Sequence, residues 1–178
     1  KYDDTLLSDI LENIDSIDAI SQLGIIQDLQ LLADAHQISY ASIVPLLTKV
    51  SDSKSNVVNA ALYRTANNLK KFVTPGSEAE ENLKAFFNKL SANQVARLGW
   101  EPKENESNDD QLTRPYVLNA ALYAKNKDTV AQAHEIFTNN KDNLGALSAD
   151  IRLLVLRNEV KNYGSAELFD NLLNDYVK

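Results

Sequence analysis

Cysteine and methionine are both absent from the 178 residues. Without cysteine there is no disulfide, no thiol nucleophile and no thiolate metal ligand, a composition that suits a cytoplasmic protein. Without methionine even at position 1, a chain that opens on "KYDD" reads as the interior of something longer, a fragment. Glycine is scarce, at 5, and runs of alternating polarity are missing, so no strand is expected. Basic charge is also short. Lys+Arg 18 against Asp+Glu 25 gives −7, with no basic stripe to offset it, which argues against a nucleic-acid partner. No apolar run approaches the roughly 20 residues that cross a bilayer, and no signal-peptide pattern is present, so no membrane partner is expected.

Histidine occurs twice, at His36 and His134. The stretch "AQAHEIFTNN" (131–140) opens an HExx pattern, but zinc held on one helical face needs a second histidine four residues on. That place is taken by Thr138. His134 is instead expected beside an apolar stripe of Val130, Ala133 and Phe137 on an amphipathic helix. No catalytic residue, metal ligand or cofactor is assigned to this chain. An independent hydrolase is disfavoured, because no nucleophile–base pair is evident.

What the chain does have is helical periodicity. Apolar residues at three- and four-residue spacing predict helices over 4–14, 16–36, from Ser39 or Ser42 with Pro45 in the first turn, 55–73, from Ser77 to Gly99, 110–125, 128–139, 149–162 and 166–177. Ser77 and Glu80 form a capping box, "TPG" at 74–76 stops the preceding helix, and Gly99 is expected to end its helix and let Trp100 fold back on Val95. The acidic stretch "EPKENESNDD" (101–110) lacks the spacing of a calcium loop and reads as a solvated loop leading to an N-cap at Asn108 or Asp109. Ser165 caps the last helix. The helix at 149–162 is apolar almost all round, as expected of one packed on several sides.

The pentapeptide "NAALY" occurs at Asn59–Tyr63 and again at Asn119–Tyr123. With helix pairs of similar length, it points to an all-α fold built as an α-α superhelix of stacked antiparallel hairpins, HEAT- or armadillo-like. Arg114 and Arg152 stand in apolar surroundings, where a guanidinium needs a carboxylate. Two roles are open to each: an internal ion pair holding helices in register, or a contact to a peptide carboxylate.

"RLGWEPKENESNDDQLTRPYVLNAAL" (97–122) resembles the C-terminal helical domain of M1-family zinc aminopeptidases, in its bacterial aminopeptidase N branch. Arg97, Leu98, Gly99, Trp100, Asp109 or Asp110, Leu112 and Arg114 fill the places of that segment. "YDD" at 2–4, "LGIIQDLQLLADAHQISY" at 23–40 and "ADIRLLVLRNEVKNYGSAELFDNLLNDY" at 149–176 are similar to its flanking stretches, with Phe169 where the family often has Trp. The resemblance implies a single all-α domain over 1–178, the first part of a longer C-terminal domain. It implies a non-catalytic piece that roofs the peptide cavity of a zinc enzyme trimming single residues from peptide N-termini. The HExxH site would lie elsewhere in that parent, so the chain should be inactive alone. Its partners would be the catalytic domain of the same polypeptide and the parent's peptide substrates. The competing reading is a free-standing HEAT-like scaffold that binds a peptide or protein partner.

Overall fold

The computed structural model describes residues 4–176. Among the described residues there are nine α-helices and no strand: α1 (Asp4–Asn13), α2 (Ala19–Asp34), α3 (Val44–Lys49), α4 (Asn56–Asn68), α5 (Glu78–Leu98), α6 (Asn108–Tyr123), α7 (Lys127–Asn140), α8 (Ala149–Tyr163) and α9 (Ala166–Tyr176). The fold class is all-α, as the periodicity predicts. Tyr2 and Asp3 of the "YDD" stretch lie outside the described residues. Backbone contacts gather into two compact units, Lys1–Ala124 and Lys125–Lys178.

Helix ends follow local chemistry. Asp18 caps α2, its carboxylate accepting from the amides of Ile20 at 3.0 Å and Ser21 at 3.1 Å. The other end of α2 closes as a Schellman turn, with His36 N–H on the Ala33 carbonyl and Gln37 N–H on that of Leu32. Histidine, not glycine, takes its left-handed position, at φ 57. Ser39 starts a 3-10 turn at Tyr40–Ile43, and Pro45 falls in the first turn of α3.

At α5, Ser77 Oγ accepts from Glu80 N–H at 3.2 Å. The return bond of the capping box goes elsewhere than expected. Glu80 takes the Gly76 N–H at 2.8 Å, because Ser77 N–H is already given to the Thr74 carbonyl. Gly99 ends α5 at φ 60 with its N–H on the Val95 carbonyl at 2.9 Å, a backbone setting that disfavours any side chain. The cap of α6 is a correction: Ser107, not Asn108 or Asp109, accepts from Asp110 N–H at 3.1 Å. A serine hydroxyl one residue earlier already satisfies the first turn, so Asn108 and Asp109 become its opening residues.

In the first unit, α2 packs on α4, α4 on α6 and α5 on α6. Their inward positions build one core that includes Ile26, Leu29, Val58, Leu62, Phe87 and Val117, each 1% exposed or less. Burying a side chain of this size contributes roughly 1.5–3 kcal/mol. The two copies of "NAALY" lie on α4 and α6, the pair of helices that pack together. Their tyrosines both reach α5. Tyr63 donates to the Leu90 carbonyl at 3.3 Å, and the Tyr123 ring meets Phe87 edge-on at 4.9 Å. Polar side chains pin the connection between α3 and α4: Asn59 and Gln94 both donate to the Ser53 carbonyl at 2.7 Å.

In the second unit α7 packs on α8, and the buried apolar side chains are Ala133, Leu154 and Val155. Beside them Asn158 donates to the Val130 carbonyl at 3.2 Å. The expectation that α8 is covered on several sides does not hold among the described residues, since Leu153 is 48% exposed and Val160 57%. An apolar sequence face is buried only where another element covers it. Ser165 caps α9 as expected, accepting from Leu168 N–H at 3.1 Å.

Candidate functional site

Arg114 sits on α6 and is 3% exposed. Its guanidinium pairs with the Glu106 carboxylate and donates to the Gly99 carbonyl at 3.2 Å and the Leu98 carbonyl at 3.3 Å. Both charged side chains are 4% exposed, so the pair is withdrawn from solvent. Glu106 therefore departs from the solvated loop expected of 101–110. A second tie runs beside it, from Arg97 Nη1 to Asp110 Oδ1 at 2.7 Å. Residues 97–114 thus bind the end of α5 to the start of α6 by charge-assisted hydrogen bonds. Arg152, on α8, is half-buried, and among the described residues no ion pair is seen for its guanidinium. The two arginines belong to different units.

His134 lies on α7 beside buried Ala133 and half-buried Val130 and Phe137, as expected. Its Nδ1 is 2.8 Å from Glu159 Oε2, and its ring stacks on Tyr163 at 3.8 Å and 15°. Thr138, four residues on, donates its hydroxyl to the His134 carbonyl at 2.9 Å. Among the described residues no three histidine, aspartate or glutamate side chains gather to hold a metal ion.

The cavity with the features of a binding site lies in the first unit, between the end of α2, the turn at Leu69–Phe72 and the first half of α5. Its volume is about 820 Å³, within the range of ligand clefts. Ile38, Leu69, Val73 and Phe86 supply apolar wall, and Tyr40 and Phe72 form a tilted ring pair at 5.2 Å. One edge is charged. Lys71 Nζ donates to Asp34 Oδ1 at 3.2 Å and to the Tyr40 hydroxyl at 3.1 Å, and Tyr40 donates to the same Asp34 oxygen. The Tyr40 hydroxyl first, then Lys71, holds the Asp34 carboxyl below its ordinary value of 3.8. The Tyr40 bond and the Asp34 carboxylate raise the Lys71 ammonium in turn. The ammonium also lies 4.4 Å from the Tyr40 ring centre and 5.1 Å from that of Phe72.

Sequence reasoning did not assemble this cluster. Asp34 and Tyr40 flank a left-handed turn, and Lys71 comes from a turn 37 residues from Asp34. The one local signal is "KKF" (70–72), a basic-aromatic run just before the "TPG" stop.

The sequence model for the ERAP1-like C-terminal domain matches residues 1–178. Aminopeptidase N of Lactobacillus helveticus is 57% identical over 178 residues, covering 100% of this chain and 21% of that protein. Aminopeptidase N of Lactobacillus delbrueckii subsp. lactis is 54% identical over 176 residues, covering 99% and 21%. More distantly, aminopeptidase 2, mitochondrial, of Saccharomyces cerevisiae is 24% identical over 178 residues, covering 99% and 19%. The chain thus spans about a fifth of the length of the curated relatives it matches.

Proposed function

The chain belongs to the ERAP1-like C-terminal domain family, and on that premise we propose that it is a non-catalytic part of the C-terminal domain of an M1-family zinc aminopeptidase. Its catalytic domain, on the same polypeptide, removes single residues from peptide N-termini. This helical piece roofs the peptide cavity, and 1–178 forms the first part of that domain. A roof of packed helices keeps folded proteins out and bulk water away from the reaction. Zinc belongs to the catalytic domain, where it supplies Lewis-acid and water-activating chemistry. The parent is a cytoplasmic enzyme, and no helix among the described residues is long and apolar enough to cross a membrane.

The observation that carries this reading is the 57% identity that extends across the whole chain yet covers 21% of a much longer aminopeptidase. Exposed apolar residues of the second unit agree with it. Phe169 at 66%, Val160 at 57% and Leu173 at 51% are the kind of surface that neighbours cover in an intact enzyme. Arg114 is committed to Glu106, so of the two arginines Arg152 is the better placed to meet a peptide carboxylate.

Purified 1–178 is expected to retain no zinc and to leave an aminoacyl-nitroanilide unhydrolysed, and metal-dependent turnover would overturn the reading. Self-association in sedimentation agrees with a piece of a larger enzyme, whereas a well-behaved monomer favours the free-standing scaffold.

A further inference from the structure

We propose that the cleft between α2, the turn at Leu69–Phe72 and α5 binds a free α-amino acid with a large apolar or aromatic side chain, in its zwitterionic form. Lys71 and Asp34 set opposite charges 3.2 Å apart at one edge of a mostly apolar cavity, whose other polar lining comes from His36, Ser39, Tyr40 and Asn82. The ammonium and carboxylate of an α-amino acid are attached to one carbon, so they meet that pair in reverse order, carboxylate on Lys71 and ammonium on Asp34.

Both groups have capacity left. Lys71 gives N–H bonds to Asp34 and Tyr40, which leaves one donor of its ammonium. Tyr40 and Lys71 both bond to Oδ1 of Asp34, which leaves Oδ2 turned to neither of them, although the Gln30 side chain also bonds the carboxylate. Neither side chain is sealed off, with 49% of Lys71 and 42% of Asp34 exposed. Tyr40 fixes the pair from below, and its hydroxyl is what orients both charges.

Next to this edge the wall is aromatic and aliphatic. Phe72 is 61% exposed although it lines the cavity, so it offers a ring face for stacking. A purely apolar ligand leaves the remaining Lys71 donor and Asp34 Oδ2 unused, and a purely ionic one leaves Phe72 and Phe86 uncovered. An apolar zwitterion answers both. Free amino acids are what the proposed parent peptidase releases. That link rests on the function proposed above, whereas the binding itself does not.

The test is an NMR titration of the 178-residue chain with L-phenylalanine. Glycine, which lacks the side chain, and N-acetyl-L-phenylalanine amide, which lacks both charges, are the comparators. Expected are saturable amide shifts confined to residues 33–44, 69–73 and 79–86, with an affinity on the order of millimolar. Each comparator should bind about tenfold more weakly or worse, as should the variants Lys71→Met and Phe72→Ala. Both replaced side chains are exposed, so the fold is kept. Absence of saturable shifts, or equal binding of the uncharged amide, overturns the proposal. Loss of zinc or turnover elsewhere in the parent does not move this readout, so the two readings fail separately.

Discussion

The first unit and the second are written in the same alphabet of three- and four-residue apolar spacing, yet they bury very different amounts of it. In the first, α2, α4, α5 and α6 close around Leu62, Phe87, Leu90 and Val117, none more than 1% exposed. In the second, α7 and α8 seal Ala133, Leu154 and Val155, and leave Leu153, Val160, Phe169 and Leu173 each about half exposed or more. The difference lies in layers rather than residues. A hairpin has two faces and can cover only one by itself. Periodicity therefore announces which side of a helix is apolar, while the number of neighbours decides whether that side becomes core.

Truncating one aromatic in each unit should show the contrast at its largest. Phe87→Ala is expected to cost about 3–5 kcal/mol, because it opens a cavity in a core that cannot collapse around it. Phe169→Ala, at a position 66% exposed, should stay within about 0.5 kcal/mol in the same urea melts. Comparable losses at the two sites would mean that α9 has a cover in solution. The arginines offer the next contrast. Arg114→Met strands Glu106 as a buried charge and should cost roughly 3 kcal/mol, while Arg152→Met should lower thermal stability very little. A large loss at Arg152 would reveal an ion pair that the described residues do not contain.

The smallest effect concerns acid. The Asp34 carboxyl is depressed in the folded state, so its contribution is complete above its ordinary value of 3.8 and disappears as pH falls through the lower folded midpoint. Followed by carboxyl carbon shifts, that midpoint should rise both in Tyr40→Phe and in Lys71→Met, since each variant removes a group that lowers it. An unchanged midpoint in both variants would remove the Asp34–Tyr40–Lys71 cluster as a cooperating unit.

Much of this was readable beforehand wherever the cause is local. A serine three residues before a glutamate at Ser77–Glu80, a glycine at Gly99 that takes a positive φ, and a serine at Ser165 ahead of an apolar run each act within one helical turn. The repeated "NAALY" was also informative, since its two copies fall on helices that pack together. Legibility faded with distance and with competition. Ser107 precedes two other good capping residues, and the sequence reading placed the cap on Asn108 or Asp109 instead. Glu106 looked solvated because its partner, Arg114, reaches it from the next helix. The cleft was out of reach, because it depends on a turn at His36 bringing Tyr40 under Asp34 and on a separate turn delivering Lys71.

That turn at His36 has a further consequence. A histidine held at φ 57 occupies a conformation that glycine adopts freely and that costs other residues roughly 1–2 kcal/mol. His36 is also one of the residues that line the cavity. Glycine at this position would relax the end of α2 and improve heat tolerance, and would also take a side chain out of the cavity wall. The residue best for the turn and the residue best for the wall are therefore different, and an engineer optimising one should expect to alter the other.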